Sequence, residues 1–213
     1  HGEIMMSEIR QIPEIFSKII ANDQISPQLA NLISDSNIKS ILVLARGTSD
    51  NAAHFLKYLV ETQLGLPCGL TSPSSVSIYN SKLHYENTLV VAISQSGKST
   101  DLVQFAKSSK DSGATLVSMT NDGESPLAQV ADFHLSLQAG PEIAVAATKS
   151  YSAQLLLSYL LVMKWAKKVP QVDKLEAEAE AAIRQKSVIK EVAEGIDLKG
   201  DIVVLGRGFA YPN

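Results

Sequence analysis

Two short hydroxyl-rich stretches carry the residues with the clearest chemical meaning. The first is Val90-Val-Ala-Ile-Ser-Gln-Ser-Gly-Lys-Ser-Thr-Asp101, where an apolar run ends in Ser94, Gln95, Ser96, Gly97, Lys98 and Ser99. Its Gly-Lys-Ser-Thr invites comparison with a nucleotide-binding P-loop. Such a loop needs another glycine five residues before Gly97. Position 92 is Ala92, inside the apolar run, so the residue that turns the backbone around a β-phosphate is missing. Met119-Thr-Asn-Asp122 comes nearest to a magnesium-binding strand end and is too polar. An ATP- or GTP-binding loop is disfavoured on both counts.

An anion site of another kind is still implied. Ser94, Gln95, Ser96 and Ser99 crowd a tight turn, Gly97 relieves it sterically, and Ser99 with Asp101 starts a helix. A helix cap needs one serine. The extra hydroxyls, one amide and the helix N-terminal N–H groups suit a monophosphate with three accessible oxygens. The second stretch, Arg46-Gly47-Thr48-Ser49, follows another apolar run in the equivalent place. Its Gly47 serves the turn, and two hydroxyls precede a helix. Together the two loops read as one pocket for a phosphorylated polyol.

A third stretch, Ala139-Gly-Pro-Glu-Ile-Ala-Val-Ala-Ala-Thr-Lys149, has a Gly140-Pro141 turn and small residues that let backbone approach a ligand. Glu142 is a weak candidate for a general base, because a carboxylate beside a turn is usually solvated. His54, His84 and His134 lack a partner pattern, and no metal-ligand spacing occurs.

The elements that position these loops follow from periodicity. Ile41–Ala45, Thr88–Ile93, Ala114–Met119 and Phe133–Leu137 are short β-rich runs, with a weaker one near Cys68–Thr71. Runs that are apolar on both faces argue for a parallel sheet covered by helices. Helical patterns span Asp50–Leu64, Ser99–Ser112 and Ala144–Lys167, two more lie at Ser7–Ala21 and Pro27–Ser34, and a solvated one spans Lys174–Arg184. The alternation predicts a doubly wound α/β domain, whose ligands sit at the carboxyl ends of the strands.

Composition narrows the classes. The chain has 213 residues, 45% hydrophobic and 19% charged, with a net charge of −3. No basic field exists to gather nucleic acid. The single cysteine, Cys68, permits no internal disulfide framework, which fits a reducing compartment. Its apolar surroundings favour a small buried residue over a nucleophile. No apolar stretch is long enough to span a membrane and no signal peptide is recognisable. The expected setting is the cytoplasm. His1 and Gly2 are given no role.

One internal echo bears on organisation. Asp201-Ile-Val-Val-Leu-Gly-Arg-Gly-Phe-Ala-Tyr-Pro-Asn213 repeats the strand, Arg and Gly of Ser40-Ile-Leu-Val-Leu-Ala-Arg-Gly-Thr-Ser-Asp-Asn51 at a spacing of about 161 residues. The expectation is an N-terminal helical segment over 1–38, a first domain over 39–168, a helical linker over 169–199, and the start of a truncated second copy over 200–213.

The three stretches, with Leu205-Gly-Arg-Gly-Phe-Ala-Tyr211, resemble the sugar isomerase (SIS) domain family over nearly the whole chain from about residue 5. The resemblance is to its double-SIS group, which includes the isomerase half of glutamine–fructose-6-phosphate aminotransferases. Arg46-Gly-Thr-Ser-Asp50 and Ala146-Ala-Thr-Lys-Ser-Tyr151 look closer to stand-alone glucosamine-6-phosphate deaminases. The resemblance implies a flavodoxin-like five-stranded parallel sheet with helices on both faces. It implies a sugar phosphate held by Gly47, Thr48, Ser49, Ser94, Gln95, Ser96 and Ser99, with Val145 approaching the sugar through its backbone. Lys98 and Ala144 stand where the aminotransferases usually have Glu and Gly, which weakens that assignment more than the phosphosugar one.

No glutaminase domain precedes the repeat within these residues. The family's catalytic Glu, His and Lys belong to the second SIS domain or a neighbouring subunit, so no catalytic residue maps here. The implied reaction interconverts glucosamine 6-phosphate and fructose 6-phosphate with ammonia, without metal or cofactor, in a homodimer. Alone, this chain is expected to bind with little activity. A non-catalytic phosphosugar sensor is the alternative from another class. Such sensors usually carry a DNA-binding helix-turn-helix, and nothing of that pattern lies in the first 40 residues.

Overall fold

The computed structural model describes residues 2–196, 203 and 205–211. Five strands form one sheet: β1 (Ser40–Leu44), β2 (Cys68–Leu70), β3 (Thr88–Ile93), β4 (Thr115–Thr120) and β5 (Phe133–Ser136). Their order is β2-β1-β3-β4-β5 and every pairing is parallel. This is the doubly wound arrangement that the apolar runs predict, in the flavodoxin-like form that the resemblance implies. Each residue of β3 is buried, as a strand covered on both faces requires.

The helices are α1 (Gly2–Ile9), α2 (Ile12–Ala21), α3 (Pro27–Asp35), α4 (Thr48–Leu64), α5 (Ser74–Ser77), α6 (Thr100–Asp111), α7 (Pro126–Val130), α8 (Lys149–Trp165), α9 (Leu175–Arg184) and α10 (Lys186–Glu194). One face of the sheet packs on α4, α8, α2 and α3 through Ile41, Val43, Val91, Leu56, Val60, Leu157, Leu161, Ile19 and Leu29. The other packs on α6 and α7 through Leu44, Val90, Ala92, Leu102, Phe105 and Leu127. Burying a large aliphatic or aromatic side chain is worth about 1.5–3 kcal/mol, so two filled faces hold the sheet rigid under its loops. The N-terminal segment shares the first of these cores: Ile15, Ile19, Ile25, Leu29 and Leu32 join it. Trp165 Nε1 donates to the Leu29 carbonyl at 2.8 Å.

Two helix boundaries differ from the sequence expectation. The helix expected over Ser7–Ala21 is broken into α1 and α2 at Arg10 and Gln11, because Pro13 occupies the first turn of α2 and cannot continue an earlier helix. The helix expected to begin at Ala144 begins at Lys149. The Glu142 carboxylate accepts from Thr148 N at 2.8 Å and Ser150 N at 3.3 Å, and so caps the helix where it starts. Hydrogen-bonding residues just ahead of a helix fix its first turn.

The repeated strand expected over 201–205 falls largely outside the described residues. The described tail is a 3-10 turn, Gly208–Ala210, lying on α4. The Phe209 ring sits 5.7 Å from the rings of Phe55 and Tyr58. His54 packs edge-on against Tyr211, with ring centroids 4.9 Å apart.

Candidate functional site

β1 and β3 are neighbours in register, Leu44 beside Ala92. The loops that leave them therefore lie side by side at the carboxyl edge, at the point where the strand order reverses. Gly47 has φ +60 and ψ −134 and delivers the chain into α4 at Thr48. Gly97 has φ +64, and a Cβ built there would lie 2.2 Å from Ser125 Oγ and 2.7 Å from its Cβ. The Ser94–Ser99 turn thus rests directly on the residue that caps α7. Leu127 N donates to the Gly97 carbonyl at 3.1 Å, and Asn121 N to that of Gln95 at 3.1 Å. An ion pair from Arg46 Nη1 to Asp101 Oδ2, 2.5 Å, ties the two loops together. Its partners are partly exposed, so it contributes under about 1 kcal/mol.

The hydroxyls in these loops share one property. Ser94 Oγ accepts from Gly97 N at 3.1 Å. Ser96 Oγ accepts from Lys98 N at 3.3 Å. Ser49 Oγ accepts from Gln154 Nε2 at 3.0 Å. Each oxygen is occupied as an acceptor, and no bond among the described residues uses the O–H of any of the three as donor. A hydroxyl in that state has its proton to give. Ser99 stands at the N-cap of α6 with no side-chain capping bond, so its hydroxyl is not committed to the helix. Val103 N to Ser99 O, 3.0 Å, is the first intrahelical bond, and the N–H groups before it belong to the orphan donors of a helix start. A patch of donors at a helix N-terminus suits an anion. Thr48 and Gln95 lie half-buried beside these groups, while Ser49 and Ser94 are buried.

Lys98 does not join the patch. Its Nζ reaches Asp122 Oδ2 at 3.4 Å. Ala92 lies within β3, as the argument against a P-loop requires.

The third stretch is drawn in by α8. Asn121, after β4, donates to the Gly140 carbonyl at 2.5 Å and accepts from Ala139 N at 2.9 Å. Gly140 has φ +65. The chain then runs as an irregular loop to α8, which packs along α4 and delivers Gln154 to Ser49. Val145 is 99% exposed, and no side-chain bond joins it to the serine loop among the described residues. Glu142 serves as the cap of α8 and not as a solvated carboxylate. Ser150 Oγ also donates to it.

Sequence reasoning missed Gln154, Lys149 and Glu8. Gln154 left a usable signal. Ser150, Gln154 and Ser158 recur at every fourth position of a largely apolar helix, and all three are buried. A polar stripe on the buried face of such a helix needs partners, and Ser49 is one. Glu8 accepts from Ile143 N and Ala144 N, and Lys149 Nζ donates to Gln11 Oε1 at 2.8 Å. These pairs span more than a hundred residues and no local pattern foretells them.

Cys68 is a free, buried thiol. Burial pushes its pKa up to about 12, which makes it unreactive. Among the described residues no group of three or more His, Cys, Asp or Glu could hold a metal ion, and no helix is long and apolar enough to cross a membrane.

Comparison with known proteins follows the same lines. The description "SIS domain" matches residues 34–164. A glutamine–fructose-6-phosphate aminotransferase (isomerizing) of Methanosarcina mazei is 33% identical over 195 residues, covering 84% of this chain and 31% of that protein. The chain thus spans about a third of the length of the curated relatives it matches. The C-terminal domain of glucosamine-fructose-6-phosphate aminotransferase from Francisella tularensis superposes with a TM-score of 0.79 at 27% identity, over 100% of this chain and 64% of that one. A glucosamine-6-phosphate deaminase from Thermotoga maritima shares the fold, with a TM-score of 0.71 at 21% identity over 92% of this chain and 57% of that one. With the sheet order, both covered faces and the paired loops in agreement, the chain belongs to the SIS domain family.

Proposed function

We propose that this chain binds a hexose 6-phosphate and forms the phosphosugar-binding half of an enzyme that interconverts glucosamine 6-phosphate and fructose 6-phosphate, with ammonia released or taken up. The observation that carries the reading is the shared state of Ser49, Ser94 and Ser96. Three oxygens already accept from the protein, which leaves three hydroxyl protons that a sugar phosphate could take up. Ser99, whose side chain makes no capping bond, and the N–H groups at the start of α6 would add donors, and Gln95 and Thr48 would complete the set. Backbone at Val145 would close over the sugar.

The segment over 200–213 opens a second SIS domain in this reading. Gly208, the counterpart of Gly47 in the internal echo, shares its φ of +60. The proton transfer between C1 and C2 needs a base and donors for the developing oxyanion, and these groups come from that second domain or from a partner copy. The protein works as a homodimer in the cytoplasm, and the chain by itself binds without turning over.

The isomerase part of a glutamine–fructose-6-phosphate aminotransferase is the second reading, favoured by the names of the curated relatives. Lys98 and Ala144, which stand where the aminotransferases usually have Glu and Gly, weaken it.

Thermal shift with fructose 6-phosphate, glucosamine 6-phosphate and magnesium ATP tests the site. Stabilisation by the sugar phosphates alone is expected, and a shift with ATP alone would overturn the reading. Ammonia release from glucosamine 6-phosphate by the two-domain protein separates the reactions. Isomerisation without ammonia release would reduce it to a plain isomerase, leaving the site intact.

A further inference from the structure

α1 is held in an unusual way. Of its eight residues only Glu8 is buried, at 4% exposure. Its apolar residues Met6 and Ile9 border a cavity of about 470 Å³, shared with Ile12, Phe16, Ala182 and Ile183. Little apolar area therefore fastens α1 to the rest of the chain. The Glu8 carboxylate does the fastening. Oε1 accepts from Ile143 N at 2.5 Å and from Ala144 N at 3.3 Å, and Oε2 also lies 3.3 Å from Ala144 N. Just beyond α1, Gln11 Oε1 takes a bond from the Lys149 ammonium at 2.8 Å, and Lys149 is 2% exposed. Two residues of the N-terminal segment thus grip both ends of the loop between Ile143 and Lys149.

A buried carboxylate is costly unless its oxygens are satisfied. Glu8 meets that condition through two backbone N–H groups of the third loop, so α1 and the loop hold their places jointly. The two gripped peptides immediately precede Val145, whose backbone closes over the sugar in the function proposed above.

We propose that Glu8 is a positioning residue for the sugar-phosphate site, and that docking of α1 and occupation of the site are mutually coupled. This rests on the reading of the site as a hexose-phosphate site. If α1 undocks, the 143–144 peptides lose their anchor and the loop no longer presents its backbone. By reciprocity, a bound sugar phosphate tightens α1. Any event acting on the chain around residues 2–11 would then be felt at the site through one helix.

The test combines calorimetric titration with fructose 6-phosphate and hydrogen exchange on the 213-residue chain, wild type and variants. Saturating fructose 6-phosphate should slow exchange across residues 2–11 of the wild type. Glu8→Ala should speed exchange of the peptide containing Ile143 and Ala144 without ligand, and should weaken binding about tenfold or more. It should also abolish the protection of α1. Glu8→Gln keeps an acceptor oxygen and should bind with intermediate affinity, which carries the comparison if Glu8→Ala does not fold. Glu3→Ala, on the exposed side of the same helix, should match the wild type. The coupling is overturned alone if the wild type binds while its residues 2–11 exchange as fast as in the free chain, or if both Glu8 variants bind as tightly as the wild type. A wild type that binds neither fructose 6-phosphate nor glucosamine 6-phosphate overturns the site reading itself, and the coupling with it.

Discussion

Gln154, halfway along α8, donates its amide to Ser49 Oγ at 3.0 Å across the α4–α8 interface. The pair is buried, with Gln154 at 1% exposure and Ser49 at 7%. Its effect is on direction. With its oxygen engaged as acceptor, the Ser49 hydroxyl keeps its proton free to donate. Gln154→Leu removes that constraint. Because Gln154 Oε1 is buried without a partner, the substitution also removes an unsatisfied acceptor, and fold stability should change little. Affinity for fructose 6-phosphate should fall about tenfold, the loss of roughly one hydrogen bond. Titration calorimetry alongside urea unfolding checks both halves. Equal losses in stability and affinity would make Gln154 merely structural.

Among the described residues, Gly97 is the loop position where the backbone and its surroundings both demand glycine. Its φ is +64 and a Cβ would overlap Ser125 Oγ at 2.2 Å. Gly97→Ala should cost on the order of 3 kcal/mol, part backbone strain and part overlap. Adding Ser125→Gly removes the two shortest overlaps but leaves the strain and a tight 3.1 Å approach to Thr120 Cγ2. The double variant should therefore be more stable than the sum of the two single losses allows. Chemical denaturation of the four chains measures this directly.

The parts of the molecule that sequence patterns made legible are those fixed by local rules. The apolar runs of β1 and β3 are continuous because the sheet is covered on both faces, and the serine loop declared itself because one cap does not need four polar side chains. The start of α8 was not legible. Ala144, Ala146 and Ala147 are good helix formers, yet Glu8 holds Ile143 and Ala144, and Glu142 caps at Thr148. A carboxylate 135 residues away overrode local propensity. The grip of Glu8 and Gln11 on the third loop was invisible for the same reason: it exists only once the chain is folded.

Lys98 gives a prediction that separates a phosphosugar loop from a nucleotide loop. In a P-loop the lysine following the glycine touches phosphate. Here the amine reaches Asp122 at 3.4 Å and is well exposed. Lys98→Ala should change the affinity for hexose phosphates less than about threefold, since a screened surface charge acts weakly at that range. A loss beyond tenfold in calorimetry would place the amine on the phosphate and reopen the nucleotide reading.

His134, on β5, should give the fold a mild acid sensitivity. Its Nδ1 lies 3.1 Å from Ser118 Oγ, and its Nε2 is buried without a partner. Burial lowers its pKa below the usual 6.5, an effect that nearby Asp122 partly offsets. The folded state thus resists the proton that the unfolded chain accepts. Stability from this group is complete above pH 6.5 and is lost as pH falls from there through the folded pKa. Because the ring is only half-buried, the loss should stay under about 1 kcal/mol after solvent screening. Urea midpoints between about pH 7.5 and 5.5 should decline for the wild type, and His134→Leu should flatten that decline. Asp122→Asn should steepen it, because the carboxylate is the group that helps the imidazolium form. An unchanged slope in His134→Leu would assign the acid sensitivity to carboxylates elsewhere and not to this histidine.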